Sequence, residues 1–228
     1  MESNEPILVI SPHLDDGVFS CGDRLLEHPG STAVTVFAGV PDSYGRLSSW
    51  DEASGFAAGN DVIAARRRED EAALALLGAR PRWLRFLDAQ YEATPCFEEV
   101  VVELRDIIAD IEPAAVLSPL GLFHSDHALA SRAALDVARS SLELRWFVYA
   151  DAIYRCIDNL LEQRLTALRG EGWRLTRCGE RGRATETKRR AIEAYASQLR
   201  ALALPPHPGY RDAFEPECYW LLEPLGGS

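Results

Sequence analysis

The chain has 228 residues, 47% of them hydrophobic and 26% charged, which is enough for one α/β domain with a well-formed core. Its formal net charge of −11 argues against a nucleic-acid partner, because a basic surface is the usual signature of backbone binding. Its five cysteines include no Cys-x-x-Cys pair, which favours reduced thiols in a cytoplasmic protein over a disulfide framework. No apolar run approaches the ~18 residues of a membrane span, so we expect a soluble, cytoplasmic protein.

The first predicted element is a strand at residues 7–10, where four consecutive aliphatic residues indicate burial on both faces. A polar turn follows it, with an imidazole at His13 and adjacent carboxylates at Asp15 and Asp16. Such a turn can simply end a strand and cap a helix. However, ligands of open α/β sheets bind at the carboxyl ends of strands, and His and Asp are good zinc ligands.

The remaining apolar runs and amphipathic segments alternate along the chain. Strands are predicted at 32–38, 83–87, 114–117, 144–149, 173–178 and 217–222, and helices at 18–26, 61–77, 97–111, 128–138, 159–168 and 185–202. Residues 39–60 read as a long irregular loop, either at the mouth of a site or on the surface. This order predicts a Rossmann-like three-layer α/β/α sandwich with a mostly parallel sheet. No Gly-x-Gly-x-x-Gly follows the first strand, so dinucleotide binding is not favoured.

No linker composition divides the sequence. We therefore expect a single domain over residues 1–228, with a C-terminal elaboration from about residue 157.

A second polar cluster, His124-Ser125-Asp126-His127, also follows a predicted strand. Because the carboxyl ends of parallel strands meet at one edge of a sheet, the two clusters can converge on a single point. Together they supply three metal ligands and spare acid–base groups, which is the composition of an open catalytic metal site.

The two clusters together resemble the motifs of the LmbE/PIG-L family of zinc-dependent N-deacetylases. The first motif of that family is usually Pro-His-Pro-Asp-Asp-Glu, and this chain has Ser-Pro-His-Leu-Asp-Asp-Gly. Weaker matches cover most of the chain: Arg68 with Glu71, Leu77-Gly78, Asp88, Lys188 and residues 195–198.

Two departures from the family pattern affect the site. Leu14 and Gly17 replace residues of the first motif, and Gly17 removes a carboxylate. The family also often carries a polar residue just before the second motif, where this chain has Leu122 and Phe123. If that residue helps to stabilise an oxyanion, Tyr149 or another group must take its place.

The resemblance implies a metal-dependent amidohydrolase that removes an N-acyl group, typically acetyl, from an amino sugar or a related glycoconjugate. It implies one zinc ion per chain, or another divalent metal, bound by His13, Asp16 and His127. Two alternatives stay open: a deacylase of a secondary-metabolite scaffold, and a metal-binding family member without turnover. A small-molecule substrate is expected, with no nucleic acid and no membrane span, and a homo-oligomer is left open.

The resemblance also implies the roles of five further residues. Asp15 is expected to be the general base that takes the proton of the attacking water. His124, oriented by Asp126, is expected to stabilise the oxyanion or to protonate the leaving amine. Arg68 and Asp88 are expected to hold polar groups of the substrate.

Overall fold

The computed structural model describes residues 5–44, 46–91, 94–178, 184–207 and 209–225. Within these ranges one sheet contains seven strands: β1 (Leu8–Ser11), β2 (Thr32–Thr35), β3 (Arg80–Trp83), β4 (Ala115–Pro119), β5 (Arg145–Tyr149), β6 (Trp173–Arg177) and β7 (Tyr219–Pro224). The α-helices of the same ranges are α1 (Asp16–Glu27), α2 (Ser49–Ala53), α3 (Val62–Leu76), α4 (Phe97–Ile111), α5 (Ser125–Arg139), α6 (Leu160–Gly170), α7 (Glu186–Glu193) and α8 (Ala196–Leu202).

The strand order explains where a site forms. The sheet runs β3-β2-β1-β4-β5-β7-β6, with the first five strands parallel and β7 antiparallel to both of its neighbours. The chain order reverses between β1 and β4, so the loops that leave these two strands open a crevice at the carboxyl edge. Both polar clusters lie on these loops. The predicted α/β fold with a mostly parallel sheet is confirmed.

Helices cover both faces of the sheet because the side chains of each strand alternate between two apolar layers. On β1, Leu8 and Ile10 pack with α4, α5 and α6, whereas Val9 and the preceding Ile7 pack with α1, α3, α7 and α8. A strand covered on both faces has no polar side, which explains the continuous apolar run at the start of the sequence. No helix in the described ranges is long and apolar enough to cross a bilayer.

The structure differs from the predicted elements in three places. A strand was predicted at 83–87, but β3 spans Arg80–Trp83. Leu84 and Phe86, whose apolar side chains suggested the strand, follow its end and are buried in the core. The predicted loop 39–60 contains α2. The predicted helix 185–202 is divided into α7 and α8 at Tyr195, whose buried hydroxyl donates to Asp70 at 2.7 Å. Tertiary contacts of Tyr195 therefore outweigh local helix propensity.

A buried ion pair joins the C-terminal residues to α1. Lys188 is fully buried, and its Nζ lies 2.6 Å from Glu217 Oε1. The same oxygen accepts a hydrogen bond from the backbone N–H of Asp23 at 2.8 Å. Removing one partner would leave a buried charge without compensation, so this pair stabilises the contact of the C-terminal segment with α1.

Candidate metal centre and cavity

The turn after β1 is tightly packed and brings two side chains together. Ser11 Oγ donates to the carbonyl of His13 and accepts from the backbone N–H of Gly17 at 2.8 Å. A Cβ on Gly17 would lie only 3.1 Å from Ser11 Cβ, so the missing family carboxylate coincides with a position that has little room for a side chain. The backbone N–H of His13 in turn donates to Asp16 Oδ2 at 2.9 Å.

Three side chains predicted to be metal ligands converge at one point. Asp16 Oδ2 lies 3.2 Å from His13 Nδ1 and 3.0 Å from His127 Nε2, and the three residues form a group that could hold a metal ion. Ligands ~2.0–2.2 Å from one tetrahedral zinc ion are separated by roughly 3.3–3.5 Å, so this spacing is close to that of a single site.

The hydrogen-bond pattern at His127 also fits a cation. His127 Nδ1 lies 2.6 Å from Asp151 Oδ1, which fixes the proton on that nitrogen and leaves a lone pair on Nε2. His127 Nε2 is buried and forms no hydrogen bond in the described structure, although it faces the oxygen of Asp16. Two lone pairs pointed at each other in a buried site require a proton or a metal ion between them. The residues therefore fit a divalent cation.

The pKa values of Asp16 and His127 are shifted in opposite directions by their mutual attraction. Burial alone would raise the pKa of Asp16, but the neighbouring His127 and His13 lower it well below its usual range. Burial lowers the pKa of His127, but the carboxylates of Asp16 and Asp151 raise it to about 9. Without a metal ion, a proton stabilises the facing lone pairs.

Asp151 is the functional residue that the sequence reading missed. It is almost completely buried, and its second oxygen accepts from the backbone N–H groups of Gly121 and Leu122 at 3.0 and 3.1 Å. It follows β5 as His13 follows β1. Its place at the end of β5, beside the strand that leads to the second motif, is the signal that could have identified it.

Asp126 contacts two histidines in different ways. Its Oδ2 lies 3.1 Å from His13 Nε2 and accepts from the backbone N–H of Ala89 at 2.9 Å. His124 contacts only the backbone of Asp126, through an N–H that donates to His124 Nδ1 at 3.2 Å. The carboxylate of Asp126 therefore contacts His13, and Asp126 reaches His124 through its main-chain N–H.

Asp15 and His124 both face the cavity beside these ligands. The carboxylate of Asp15 is largely buried and makes no hydrogen bond in the described structure, while burial and the neighbouring Asp16 raise its pKa to about 7. Burial and the nearby His13 lower the pKa of His124, which favours the neutral ring. Because Nδ1 of that ring is an acceptor, its proton is on Nε2.

The centre opens into a cavity of about 600 Å³. Asp88 lines it, 3.8 Å from His13 Nε2. Arg68, predicted to contact substrate, is exposed and is not among the residues that line the cavity. Arg66 occupies the cavity wall instead, paired with Asp51 at 2.9 Å.

Two tyrosines near the centre differ in what their hydroxyl groups do. The hydroxyl of Tyr149 is buried and donates to the carbonyl of Ile10 at 2.7 Å, so it is not available to a substrate. Tyr154 lines the cavity with its ring 5.0 Å from that of His127, and its hydroxyl makes no hydrogen bond in the described residues. Burial raises the pKa of Tyr154 far above its usual range, so this hydroxyl remains a donor.

A buried His–Asp cluster at the switch point of a mostly parallel sheet defines an α/β protein with a candidate metal-binding centre. The family model described as PIG-L, GlcNAc-PI de-N-acetylase, matches residues 8–138. This match covers more than half of the chain, so the protein belongs to the PIG-L family. No curated protein matches the sequence.

Solved structures resemble the whole chain. A40926 pseudoaglycone deacetylase Dbv21 is 26% identical, with a TM-score of 0.77 and coverage of 99% of this chain and 100% of that one. A deacetylase–teicoplanin complex from the teicoplanin biosynthesis pathway is 25% identical, with a TM-score of 0.75 and coverage of 97% and 100%. The zinc-inhibited form of teicoplanin deacetylase Orf2 is 24% identical, with a TM-score of 0.80 and coverage of 98% and 100%, and it shows likeness of fold alone.

Proposed function

We propose that this protein is a zinc-dependent hydrolase that removes an N-acyl group from an amino sugar or a related glycoconjugate. The observation that carries the proposal is the placement of an unpaired carboxylate, Asp15, beside the group formed by His13, Asp16 and His127. The family and the structural neighbours described as deacetylases support the same chemistry.

The metal ligands are His13, Asp16 and His127. A bound zinc ion supplies Lewis acidity, which polarises a carbonyl group and makes water acidic enough to lose a proton near neutral pH. Asp15 accepts the proton of the attacking water on its carboxylate, since that carboxylate faces the cavity without a competing hydrogen bond. Asp151 and Asp126 hold His127 and His13 in the orientation that binding requires.

Two donors are placed to stabilise the tetrahedral oxyanion. The Nε2–H of neutral His124 faces the cavity, and the hydroxyl of Tyr154 is protonated and has no partner among the described residues. Tyr154 thereby supplies an oxyanion donor that the apolar side chains of Leu122 and Phe123 cannot supply. Preorganised donors of this kind contribute to the rate because they need not reorient as charge develops.

The substrate's sugar lies against Asp88 in this proposal. Both carboxylate oxygens of Asp88 already accept hydrogen bonds from Gln90, one from its backbone N–H and one from its side chain, each at 2.9 Å. Carboxylate oxygens have spare acceptor capacity, so they can also accept from sugar hydroxyls. We assign no substrate role to Arg68, because it is exposed and does not line the cavity beside Arg66.

The decisive experiment compares two neighbouring substitutions on N-acyl glucosamine conjugates, with free amine and bound zinc measured on the same samples. Asp15→Asn keeps the size of the side chain but cannot accept a proton at neutral pH. It should retain zinc while kcat falls by roughly 10²–10⁴-fold. Asp16→Asn replaces a charged ligand by a weak neutral one, so it should lose zinc and activity together.

Two results would contradict the proposal. A chelated protein that keeps full amide hydrolysis would exclude the metal. Loss of zinc by Asp15→Asn with retention by Asp16→Asn would reverse the two assigned roles.

A further inference from the structure

The turn that follows β5 carries two side chains of the site. Asp151 contacts His127, and Tyr154 presents its ring to the cavity. Residues 152–157 form turns and a bend, without a regular helix or strand. Backbone hydrogen bonds from the N–H groups of Tyr154 and Arg155 to the carbonyl of Asp151, both at 3.0 Å, close the turn. Because so few backbone bonds hold this segment, the position of the Tyr154 hydroxyl depends on contacts that the turn makes with other elements.

The beginning of the turn is held by the loop after β4 and by α1. The carboxylate of Asp151 accepts from the backbone N–H groups of Gly121 and Leu122 at 3.0 and 3.1 Å. The N–H of Ala152 donates to Ser20 Oγ at 3.1 Å. These bonds fix the first two residues of the turn, so the tyrosine further along needs a contact of its own.

The side chain of Tyr154 makes ring contacts and no hydrogen bond. Its ring centroid lies 5.0 Å from that of His127 and 5.2 Å from that of Phe123. Its hydroxyl has no partner among the described residues. Ring packing restricts the plane of the tyrosine, but no bond restrains its oxygen, so the backbone of the turn determines where the hydroxyl lies in the cavity.

Arg155 holds the end of the turn. Its side chain is only 10% exposed. Its guanidinium donates through Nε to Asp212 Oδ2 at 2.5 Å, through Nη2 to the carbonyl of Asp212 at 3.1 Å and through Nη1 to the carbonyl of Pro216 at 2.7 Å. Charge-assisted bonds from a planar fork are strong and directional. They join the residue next to Tyr154 to the C-terminal segment.

The C-terminal segment is itself fixed in the core. Asp212 lies in a short 3₁₀ helix at Arg211–Phe214, whose Ala213 is buried in the apolar cluster that also contains residues of α1. The chain then enters β7, which pairs with β5, and the N–H of Ala150 donates to the carbonyl of Cys218 at 3.0 Å. The acceptors of the guanidinium therefore belong to a rigid part of the fold.

We propose that Arg155 is a positioning residue, which places the Tyr154 hydroxyl for the developing oxyanion by binding the turn after β5 to the C-terminal segment. The inference rests on the proposed function. Arg155 is not among the residues that line the cavity, so it acts through its neighbour. An error of about 1 Å in the position of a reacting group can cost roughly 10²-fold in rate. Since the oxyanion forms only in the transition state, the loss should appear in kcat and not in KM.

The test is a double-mutant cycle on zinc-loaded protein, with release of free amine from N-acyl glucosamine conjugates as the assay. Arg155→Gln removes the forked contact and should lower kcat by about tenfold or more, with KM near wild type. Tyr154→Phe removes the hydroxyl itself. The double variant should match Tyr154→Phe within about twofold, because no hydroxyl is left to position.

A second variant and two further measurements accompany the cycle. Asp212→Ala removes the side-chain acceptor from the other end of the contact and should show the same non-additivity with Tyr154→Phe, so it decides the question if Arg155→Gln does not fold. Zinc affinity should stay near wild type in both variants, because backbone N–H groups hold Asp151 independently. Arg169→Gln changes an exposed arginine of α6 and should match wild type in kcat, zinc affinity and Tm.

The outcomes distinguish positioning from a general structural role. Additive losses, with the double variant slower than Tyr154→Phe by the full factor seen for Arg155→Gln alone, would overturn the inference. So would an unchanged kcat in folded Arg155→Gln, or a loss of zinc affinity that accounts for the loss of kcat.

The same data separate this inference from the proposed function. If the wild type hydrolyses the amide and Tyr154→Phe is equally active, the positioning role is excluded while the hydrolase stands. If zinc-loaded wild type releases no amine, the proposed function fails and the inference fails with it.

Discussion

Asp151 offers a sharp test because it touches a metal ligand without touching the metal position. The substitution Asp151→Asn keeps the shape of the side chain and removes its charge. In the native structure the carboxylate accepts three hydrogen bonds, one from His127 Nδ1 and two from the backbone N–H groups of Gly121 and Leu122. The single amide oxygen of asparagine can face His127 or the backbone donors, but not both.

The magnitude follows from this count. If the amide oxygen faces the backbone, its NH₂ group meets the Nδ1–H of His127, and the imidazole loses its preferred tautomer and orientation. Loss of such an orienting partner typically weakens metal binding by about 10–100-fold. If the oxygen faces His127, two buried backbone donors lose their acceptor, at a cost of about 1–3 kcal/mol for each unsatisfied group. For a chain of this length that corresponds to a fall in Tm of roughly 2–4 °C per kcal/mol.

Zinc affinity measured by competition with a chelator, together with the Tm of the metal-free protein, separates the two effects. We expect weaker zinc binding in Asp151→Asn, with kcat restored in part by added zinc. Asp158→Asn, an identical change at an exposed aspartate a few residues along the chain, is the control and should match the wild type. Zinc affinity within twofold of wild type, even with a lower Tm, would refute the orienting role and leave Asp151 as a structural residue.

Three further predictions concern the cavity and its titration. Tyr154→Phe keeps the ring contact with His127 and removes the hydroxyl, so kcat should fall by about 10²-fold at unchanged zinc affinity; an unchanged kcat would exclude the oxyanion role. Arg68→Gln should leave kcat/KM and Tm near wild type because Arg68 is exposed. Arg66→Gln should lower the Tm because it removes the charge that pairs with buried Asp51. A raised KM in Arg68→Gln would support substrate binding by Arg68, as the sequence predicted. Burial lowers the pKa of His127 but two carboxylates raise it to about 9, so zinc must displace its proton below that pH. Burial lowers the pKa of His13 too, but Asp88, Asp126 and Asp16 raise it well above its usual value, so zinc displaces a proton there as well. Apparent zinc affinity should therefore rise at least about tenfold per pH unit between about pH 7 and pH 9, and an affinity independent of pH would contradict this.

Much of the metal centre could be predicted from sequence because its ligands follow from local rules. His13 and Asp16 lie in a single turn, and His127 is one turn into the helix after β4, so strand ends and short spacings bring them together. The family resemblance then assigned ligands that the structure brings within one group. The roles of these residues remain proposals, but their convergence does not depend on long-range packing details.

The substrate wall could not be predicted in the same way, because it depends on which face of a helix docks on the sheet. Arg66, Arg67 and Arg68 are consecutive and point about 100° apart around α3, so a sequence match cannot show which of them faces the site. Arg66 lines the cavity, Arg67 donates a hydrogen bond to the carbonyl of Ala38 at 2.7 Å, and Arg68 is exposed. The way α3 packs on the sheet therefore decides which of the three arginines lines the cavity, and the sequence alone does not show this.

The apolar residues before the second motif have a structural explanation. Leu122 is buried, and its backbone N–H donates to Asp151, so this position helps to fix His127 through the main chain. A polar side chain there would have to displace a core residue. Tyr154, which follows β5 and faces the same centre, supplies a hydroxyl from the neighbouring strand end. In the proposed function the oxyanion donor therefore follows β5, and the ring of Phe123 stands exposed beside the second motif. The rings of Phe123 and Tyr154 lie together there, with centroids 5.2 Å apart, so Tyr154→Phe keeps this contact and removes only the hydroxyl.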